Sequence, residues 1–335
     1  MRKVVQAVRM IFWVVRQKAI GPGCRTAENQ FLAFAHVPNT DGAGTAGGQG
    51  KEHAMAKLYG KDLQLMAARA RLLAVDAVYT AASGHPGGSL SCMDIMTALY
   101  FNELNIDPSN PRWEDRDRFV LSKGHCTPAL YSVLALRGFF PTEDLKLFRS
   151  IKGHMSGHPD MQYVPGVDMS TGSLGQGLST AVGMALAAKL RNKSHRCYAV
   201  CGDGEMEEGQ IWEAVMAAAK WHLDNLCVFV DVNGLQIDGR TADVMPSEPL
   251  DKKFDAFNWN VIKIDGHNYE QILSALDSAR NFKGKPTVIL AATVKGKGVS
   301  FMENQAGWHG KAPNDEQFAK AKAELEETIK ELEGN

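Results

Sequence analysis

Three features are scarce in this sequence, and each scarcity excludes a class of protein. The 335 residues carry a net charge of only −1, so the basic surplus of a nucleic-acid-binding domain is missing. No apolar run approaches the roughly 18 residues of a membrane-spanning helix. None of the six cysteines forms a CxxC pair. This argues against a zinc site and favours buried free thiols in a reducing, cytoplasmic compartment.

Acidic residues are missing from the start of the chain. The basic stretch MRKVVQAVRMIFWVVRQKAI opens it, no acid precedes Glu28, and the Gly-rich NTDGAGTAGGQG follows. An Arg-bearing, acid-poor start is a feature of organellar transit segments. We prefer a simpler interpretation, in which residues 1–55 are a poorly structured leader or follow from a start codon assigned too early. Residues 56–335 would then form the folded domain.

Apolar strands alternate with helical segments in the second half of the chain. CYAVC, LCVFVDV, NVIKID and TVILAA are predicted strands, with GQIWEAVMAAAKWHL and NYEQILSALDSAR among the helices between them. Strands that are apolar on both faces are typical of a parallel sheet with both faces covered. We therefore predict an α/β fold with a parallel sheet covered by helices on both faces.

The first half adds a strand, helices and glycine-rich loops. We predict a short buried strand at Arg118–Leu121, a helix over 62–83, and a loop at SGHPGGSLS before the next helix, CMDIMTALYFNEL. Residues 153–177 are rich in Gly, Pro, His and Ser and are predicted to form a long loop. A loop of this length inside a compact domain is usually functional. The charged C-terminal segment is predicted to be a helix.

The stretch GDGEMEEG, residues 202–209, places acids and glycines directly after a buried strand. Asp203 follows that strand, and Asn233 follows the next one, with a single crossover helix between them. Neighbouring parallel strands end at the same edge of a sheet, so the two side-chain oxygens are expected to meet. Mg²⁺ takes such oxygens and completes its shell with phosphate and water. Asp-Gly or Asn-Gly alone is a common turn, but the pair predicts a diphosphate held through a metal.

The GDG motif and Asn233 together resemble the signature of thiamine-diphosphate enzymes. Within that group the chain resembles the amino-terminal half of transketolases, from about Lys57 to about Pro313. The segments that match, in order, are SGHPGGSLS, LSKGHCTPALY, SGHPD, STGSLGQGLSTAVGMALA, NGLQIDG, VKGKG and WHGKAP. The resemblance implies the thiamine-diphosphate-binding fold, in its diphosphate-binding domain.

The resemblance also implies which residues hold the cofactor and its metal. The metal would be bound by the side chains of Asp203 and Asn233 and by the backbone carbonyl of Leu235. Near the diphosphate of the cofactor, the implied contacts are Gly204, Glu208 and the cation of Lys295. Beside the aminopyrimidine they are Gly172, Ser173 and Leu174. His125 and His309 are further implied cofactor contacts. Glu205 and Glu207 have no counterpart in the family, and we expect them to be solvated loop charges.

Four histidines match those that line the active-site funnel of the family. They are His85, His125, His158 and His309, and each lies in a loop that contains Gly or Pro. Imidazole suits this role because it donates and accepts protons near neutral pH. The resemblance implies that His85 and His309 hydrogen-bond the donor sugar, and that His125 and His158 support the hydroxyls of the transferred unit. The other six histidines match nothing in the family.

The implied reaction is transfer of a two-carbon ketol unit from a ketose phosphate to an aldose phosphate. It would use thiamine diphosphate and Mg²⁺, or Ca²⁺ or Mn²⁺ in its place. The family also needs a pyrimidine-binding domain, which has no counterpart in this chain. We therefore expect a separate C-terminal subunit to supply it. Self-association of the two kinds of subunit would give a heterotetramer.

Other interpretations of the same motifs stay open. A 1-deoxyxylulose-phosphate synthase shares the GDG–Asn pair, although LSKGHCTPALY and WHGKAP favour transketolase. A dihydroxyacetone synthase, or a transketolase for an unusual sugar phosphate, is a further alternative. The histidine set argues against a two-subunit 2-oxo-acid dehydrogenase or decarboxylase. The intact metal pair argues against a non-catalytic regulatory homologue.

Overall fold

The computed structural model describes residues 56–334, so the leader proposed for 1–55 lies outside the described residues and the domain boundary stays a prediction. The strands are β1 (Arg118–Leu121), β2 (Cys197–Gly202), β3 (Leu226–Val232), β4 (Leu235–Gln236), β5 (Gly239–Arg240), β6 (Asn260–Asp265) and β7 (Thr287–Ala292). Five of them form one parallel sheet in the order β1-β2-β3-β7-β6. β4 and β5 form a small antiparallel ribbon.

Both faces of the sheet are buried because its central strands β2, β3 and β7 are mostly apolar on both faces rather than at alternate positions. In β3, Cys227 and Phe229 face one core, while Val228 and Val230 face the other. All four are fully buried. The five cysteines that the structure describes are buried and free, as expected.

Helices cover both faces of the sheet, which confirms the predicted fold class. They are α1 (Gly60–Thr80), α2 (Pro86–Ser91), α3 (Met93–Ala98), α4 (Thr127–Arg137), α5 (Gln176–Leu190), α6 (Gly209–Lys220), α7 (Thr241–Val244), α8 (Leu250–Ala256), α9 (Tyr269–Asn281) and α10 (Asp315–Glu333). Helices α1, α3, α4 and α9 pack on one face, and α5, α6 and α8 on the other. No helix within residues 56–334 is both long and apolar enough to cross a membrane.

The charged C-terminal segment forms α10, as predicted, and packs against α1. A capping box of Asn314 and Gln317 begins the helix. The rings of Tyr79 and Phe318 stack with centroids 4.0 Å apart, which joins α10 to α1.

The segment SGHPGGSLS differs from the prediction, because most of it is helical rather than a loop. Pro86 occupies the first turn of α2, where its missing N–H costs nothing. Gly87 and Gly88 allow this short helix to lie against its neighbours. A Cβ at Gly87 would lie 2.8 Å from the Trp308 carbonyl oxygen, and one at Gly88 would lie 2.8 Å from Cys126 Sγ.

Candidate active site

A cavity of about 320 Å³ opens at the carboxyl ends of β2 and β3, where the sheet topology brings four loops together. Its lining residues are Lys123, His125, Gly172, Leu174, Gly202, Asp203, Gly204, Glu205, Glu207, Glu208, Asn233, Leu235, Gln236, Ile237, Lys295 and His309. Ten of the thirteen residues predicted for the site are in this set. Ser173 is exposed beside it, and His85 and His158 lie next to the lining histidines.

One hydrogen bond joins Asp203 to the loop of Asn233. Oδ2 of Asp203 accepts from the backbone N–H of Gly234 at 2.6 Å, and Oδ1 accepts from that of Gly204 at 2.9 Å. Burial, and then the charge of Asp231, raise the pKa of Asp203 to about 6. Both effects disfavour the lone carboxylate, so a cation beside it would stabilise the charged form.

The amide of Asn233 is held in one orientation. Its Nδ2 donates to Oδ2 of Asp231 at 3.1 Å, and its Oδ1 accepts from the backbone N–H of Leu235 at 3.1 Å. Because an ionised carboxylate only accepts hydrogen bonds, the NH₂ group must face Asp231 and the oxygen must face away. The side chain therefore turns an oxygen, the atom that a hard cation prefers, away from Asp231.

Asp231 is the centre of a buried network that the sequence interpretation missed. It is fully buried in β3 and accepts hydrogen bonds from Lys123, Thr293 and, at 2.6 Å, Ser91. Burial alone would lower the pKa of Lys123, but the groups around it, with the Asp231 charge foremost, together raise that pKa well above its usual value. A charged residue inside the apolar strand LCVFVDV was the available signal, since such a charge requires a buried partner.

Lys295 is a buried cation that has only neutral partners among the described residues. Its side chain is 2 % exposed, and Nζ lies 3.1 Å from the Leu235 carbonyl oxygen and 3.1 Å from Nδ1 of His309. Burial, and then the charge of Lys123, lower its pKa. An anionic ligand in the cavity would compensate this charge.

The four predicted histidines form one cluster. The ring of His85 has its centroid 5.3 Å from that of His125, 5.6 Å from that of His309 and 6.4 Å from that of His158. The rings of His125 and His309 stack at 5.0 Å. Residues from four separate loops thus meet, although more than 200 positions separate His85 from His309 in the sequence.

Three of these imidazoles are neutral near physiological pH. Burial, and then His125, lower the pKa of His85 to about 4. Burial, and then Lys295, lower the pKa of His309 to about 3. Burial, and then Arg149, also lower the pKa of His158. Each of these rings therefore carries one N–H donor and one nitrogen acceptor.

Glu205 is not a solvated loop charge, so that expectation was wrong. Its side chain is buried and contacts three segments of the chain. Oε1 accepts from Ser122 Oγ at 2.5 Å and from the backbone N–H of Gly175 at 2.9 Å, and Oε2 accepts from that of Gly202, at the end of β2, at 3.1 Å. Burial raises its pKa. No residue spacing in the sequence predicts these contacts, because they join segments that only the fold brings together.

The two glutamates that follow also differ from each other. Glu207 is half-buried and accepts from Gln236 Nε2 at 2.9 Å, so it is not freely solvated either. Glu208, which the family resemblance places near the cofactor, lines the cavity but is exposed.

The segment TGSLGQG lies against the histidine cluster. Gly172 has a φ of +138°, and a Cβ there would lie 2.8 Å from Cδ2 of His158. Only glycine fits both the backbone angle and the close approach of this ring. Gly124 of LSKGH is packed against the same segment, since a Cβ there would lie 2.7 Å from the Gly172 nitrogen.

A parallel sheet with a cavity of polar side chains beyond its strand ends is the arrangement of α/β domains that bind a ligand at the carboxyl edge of the sheet. The family model for the transketolase thiamine diphosphate binding domain matches residues 63–330. The chain therefore belongs to the transketolase family.

Two curated relatives have nearly the same extent as the matched region. A 6-deoxy-6-sulfo-D-fructose transketolase subunit of Clostridium sp. (strain MSTE9) is 48% identical over 79% of this chain and 96% of its own length. One subunit of the apulose-4-phosphate transketolase of Phocaeicola vulgatus is 43% identical over 81% of this chain and 96% of its own length. A function as a transketolase subunit fits this chain.

Other relatives and the solved structures are longer proteins. The transketolase of Pongo abelii is 40% identical over 72% of this chain but only 38% of its own length. The crystal structure of Campylobacter jejuni transketolase superposes with a TM-score of 0.76 at 35% identity, covering 82% of this chain and 46% of that one. The chain thus spans less than half the length of these transketolases.

Proposed function

We propose that the chain is one subunit of a split transketolase and that its cavity holds the diphosphate of thiamine diphosphate through a divalent metal. The metal would be Mg²⁺, or Ca²⁺ or Mn²⁺ in its place. The observation that carries this proposal is the hydrogen bond from the Gly234 N–H to Asp203, which joins the two predicted metal loops around one cavity.

The donor set fits a hard cation that is shared with a phosphate. Asp203 offers a carboxylate, Asn233 an amide oxygen and Leu235 a backbone carbonyl, which is an incomplete oxygen shell of the kind Mg²⁺ completes with phosphate oxygens. Within residues 56–334, no group of three or more His, Cys, Asp or Glu has metal-binding geometry. A metal at this edge would therefore need oxygens from its ligand as well.

Lys295 fits the anionic part of the same group. Its buried ammonium faces the cavity, and no carboxylate of the described residues lies within ion-pair distance. A diphosphate would compensate this charge. Gly204 lines the same cavity, where the absence of a side chain lets the backbone approach a phosphate.

The histidine cluster would bind the sugar substrate. Thiamine diphosphate, when bound, supplies the electron sink for breaking and forming the carbon–carbon bond. His85 and His309 would hydrogen-bond the oxygens of the ketose donor, and His125 and His158 would contact the hydroxyls of the transferred unit. The lowered pKa values of His85, His158 and His309 keep these rings neutral, so that each can donate and accept a proton without a net charge beside the substrate.

The partner would be a C-terminal transketolase subunit that carries the pyrimidine-binding half. Relatives of this extent are named as transketolase subunits, which supports a partner. Ile237 lines the cavity and is 65% exposed, and the fully exposed Ile151 shares a second cavity with His158. Exposed apolar side chains at the rim of a site are suited to a protein interface. We also propose that the subunits self-associate into a heterotetramer.

The substrates would be ketose donors and aldose acceptors with an anionic end. One relative is named for a sulfonated ketose and the other for a sugar phosphate, so an anionic phosphate or sulfonate group is the feature that the two share. We place the reaction in central sugar-phosphate metabolism of the pentose phosphate type.

Reconstitution with a C-terminal transketolase subunit tests this proposal. We expect ketol transfer only from the mixture, and only with thiamine diphosphate and a divalent metal. Asp203→Asn should abolish transfer and weaken cofactor binding, whereas Asp243→Asn, at an exposed position of α7, should change neither. Transfer by the purified chain alone would contradict the split arrangement. Unchanged binding in Asp203→Asn would contradict the metal site.

A further inference from the structure

We propose that Arg149 is a positioning residue that fixes the tautomer of His85, with the ring proton on Nε2. The role of His85 in holding a sugar rests on the function proposed above, but the tautomer itself does not. Arg149 lies outside every motif that the sequence interpretation assigned to the site, in the turn that precedes the loop of His158.

The argument starts from two hydrogen bonds of the Arg149 guanidinium. Nη1 donates to Ser83 Oγ at 2.7 Å, and Nη2 lies 3.4 Å from Nδ1 of His85. Ser83 and His85 belong to the same loop, so one guanidinium contacts this loop twice. Arginine has donors and no acceptor, and it is charged at every relevant pH. Nδ1 of His85 must therefore be the acceptor.

The proton of the neutral ring is then left on Nε2. This nitrogen faces the loop that carries His309, because a Cβ at Gly310 would lie 3.5 Å from it. His85 thus presents an N–H donor, rather than a bare nitrogen, on the side of the ring that faces the loop of His309. A donor at this position suits the oxygens of a sugar.

The backbone around Arg149 is built to hold the side chain in this place. Its φ is +54°, which is unfavourable for a residue with a side chain, and its N–H donates to the Met155 carbonyl oxygen at 2.7 Å. A Cβ at Gly157 would lie 2.4 Å from Nε of Arg149, so only glycine leaves room there. Nε itself is buried without a hydrogen-bond partner. Strain and an unsatisfied donor of this kind are retained where the arrangement has a function.

Most groups around His85 favour its neutral form, and only Cys126 among them opposes this. The groups that face the ring are His125, Cys126, Arg149 and His158, with His309 in edge contact. Burial is the main cause of its lowered pKa, His125 is the next, and the Arg149 charge adds to both. The ring is therefore neutral, and a neutral ring has a tautomer that a neighbour can select.

His309 provides an independent instance of the same arrangement. Nζ of Lys295 lies 3.1 Å from Nδ1 of His309, and an ammonium also has donors only. Two facing histidines on different loops thus each have a donor-only cation at Nδ1. This recurrence within one cluster favours selection of the tautomer over an incidental contact.

Nitrogen NMR of the full chain tests the proposal without cofactor, partner or turnover. The chain would be labelled with ¹⁵N-histidine, and the His85 signals would be assigned by their loss in His85→Ala. We expect Nε2 to be protonated and Nδ1 to be bare at neutral pH. In Arg149→Gln we expect a mixture of both tautomers and a higher His85 pKa, because an amide both donates and accepts and carries no charge.

Two further variants separate positioning from a general structural effect. Arg149→Lys keeps a donor-only cation and should restore the Nε2–H tautomer. Arg69→Gln removes an exposed arginine that pairs with Glu333, and it should leave the His85 signals unchanged. Thermal melting of each variant checks the fold.

Three results would overturn the proposal. They are a protonated Nδ1 in the unmodified chain, an unchanged tautomer in a folded Arg149→Gln, and a failure of Arg149→Lys to restore it. The first needs no variant, so the proposal stays testable even if Arg149→Gln does not fold. None of them bears on whether the chain transfers ketol units.

Discussion

Two regions border the same cavity and hold their charges in different ways. Around Asp231 a full negative charge is buried and compensated by Lys123 and three further hydrogen-bond donors. In the histidine cluster the rings of His85, His158 and His309 are neutral, because burial and neighbouring groups lower their pKa values. The first arrangement is rigid and sets geometry, whereas the second leaves protons free to be donated and accepted.

This difference explains what each region can do. A fixed charge that is already satisfied cannot exchange protons, but it can orient a neighbour such as the Asn233 amide. A neutral imidazole has a weaker effect on the orientation of its neighbours, but it can donate a hydrogen bond at one nitrogen and accept one at the other. The cavity therefore combines a rigid network around Asp231 with a histidine cluster that can take part in proton transfer.

The largest effect is expected from breaking the buried ion pair. Lys123→Met leaves Asp231 charged and uncompensated, so the free energy of unfolding should fall by about 3–5 kcal/mol. Urea denaturation of the full chain measures this. Lys193→Met, which removes a lysine from the exposed ion pair with Asp115, is the matched control and should have no measurable effect. Equal losses in both variants would show that burial of the Lys123–Asp231 pair does not matter.

A smaller loss of stability is expected from adding a side chain next to the histidine cluster. Gly172→Ala places a methyl group within 2.8 Å of the His158 ring at a φ of +138°, so stability should fall by about 1–3 kcal/mol and His158 should move. Gly183→Ala lies in α5 with nothing within 4 Å of the added Cβ, and it should stabilise the chain by about 0.4–1 kcal/mol. Thermal melting and the His158 NMR signals would record both effects. The same sign of stability change in the two variants would contradict this steric argument.

The pH dependence of metal binding tests how the buried Asp231 affects its neighbour Asp203, whose pKa is raised by burial and then by the Asp231 charge. The raised Asp203 pKa of about 6 means that the metal-free carboxyl holds its proton more tightly than usual. Below that pH the metal must displace the proton, so its affinity should fall about tenfold per pH unit. The stability of the metal-free chain should depend on pH in the opposite sense. The protonated Asp203 contributes its full stabilisation below the pKa of the unfolded chain, and this contribution is lost as the pH rises through about 6.

Calorimetric titration of Mg²⁺ or Mn²⁺ into the chain, with thiamine diphosphate present, checks this dependence. Asp203→Asn supplies the reference, because it has no carboxyl to titrate at that position. An affinity that does not change between pH 7 and 5 would show that Asp203 does not bind the metal.

Most of the fold was predictable because its signals are local or periodic. The strand at Arg118–Leu121 was predicted at the residues where it lies, and the parallel pairing of β2 with β3 follows from the single crossover helix. The helix at Pro86–Ser91 was missed because two glycines suggest a loop, whereas contacts with Trp308 and Cys126 favour the helix.

The site divides in a similar way. The positions of Asp203 and Asn233 at one cavity could be anticipated from the strand ends, but the metal and cofactor roles of the assigned residues stay predictions. Glu205 was misjudged because its partners, Ser122 and Gly175, are contributed by loops distant in the sequence. Arg149 was missed because no motif contains it.

By itself the amino-acid sequence determines that the chain builds a parallel sheet with GDG and Asn233 at the ends of successive strands, because apolar runs and turns act over a few residues. Only the tertiary structure decides which charges are satisfied. Lys123 compensates Asp231, Glu205 joins the segments of Ser122 and Gly175, and Arg149 donates to His85. The physical reason is that desolvation and hydrogen bonding depend on what surrounds a group in space, and those surroundings come from residues far apart in the chain.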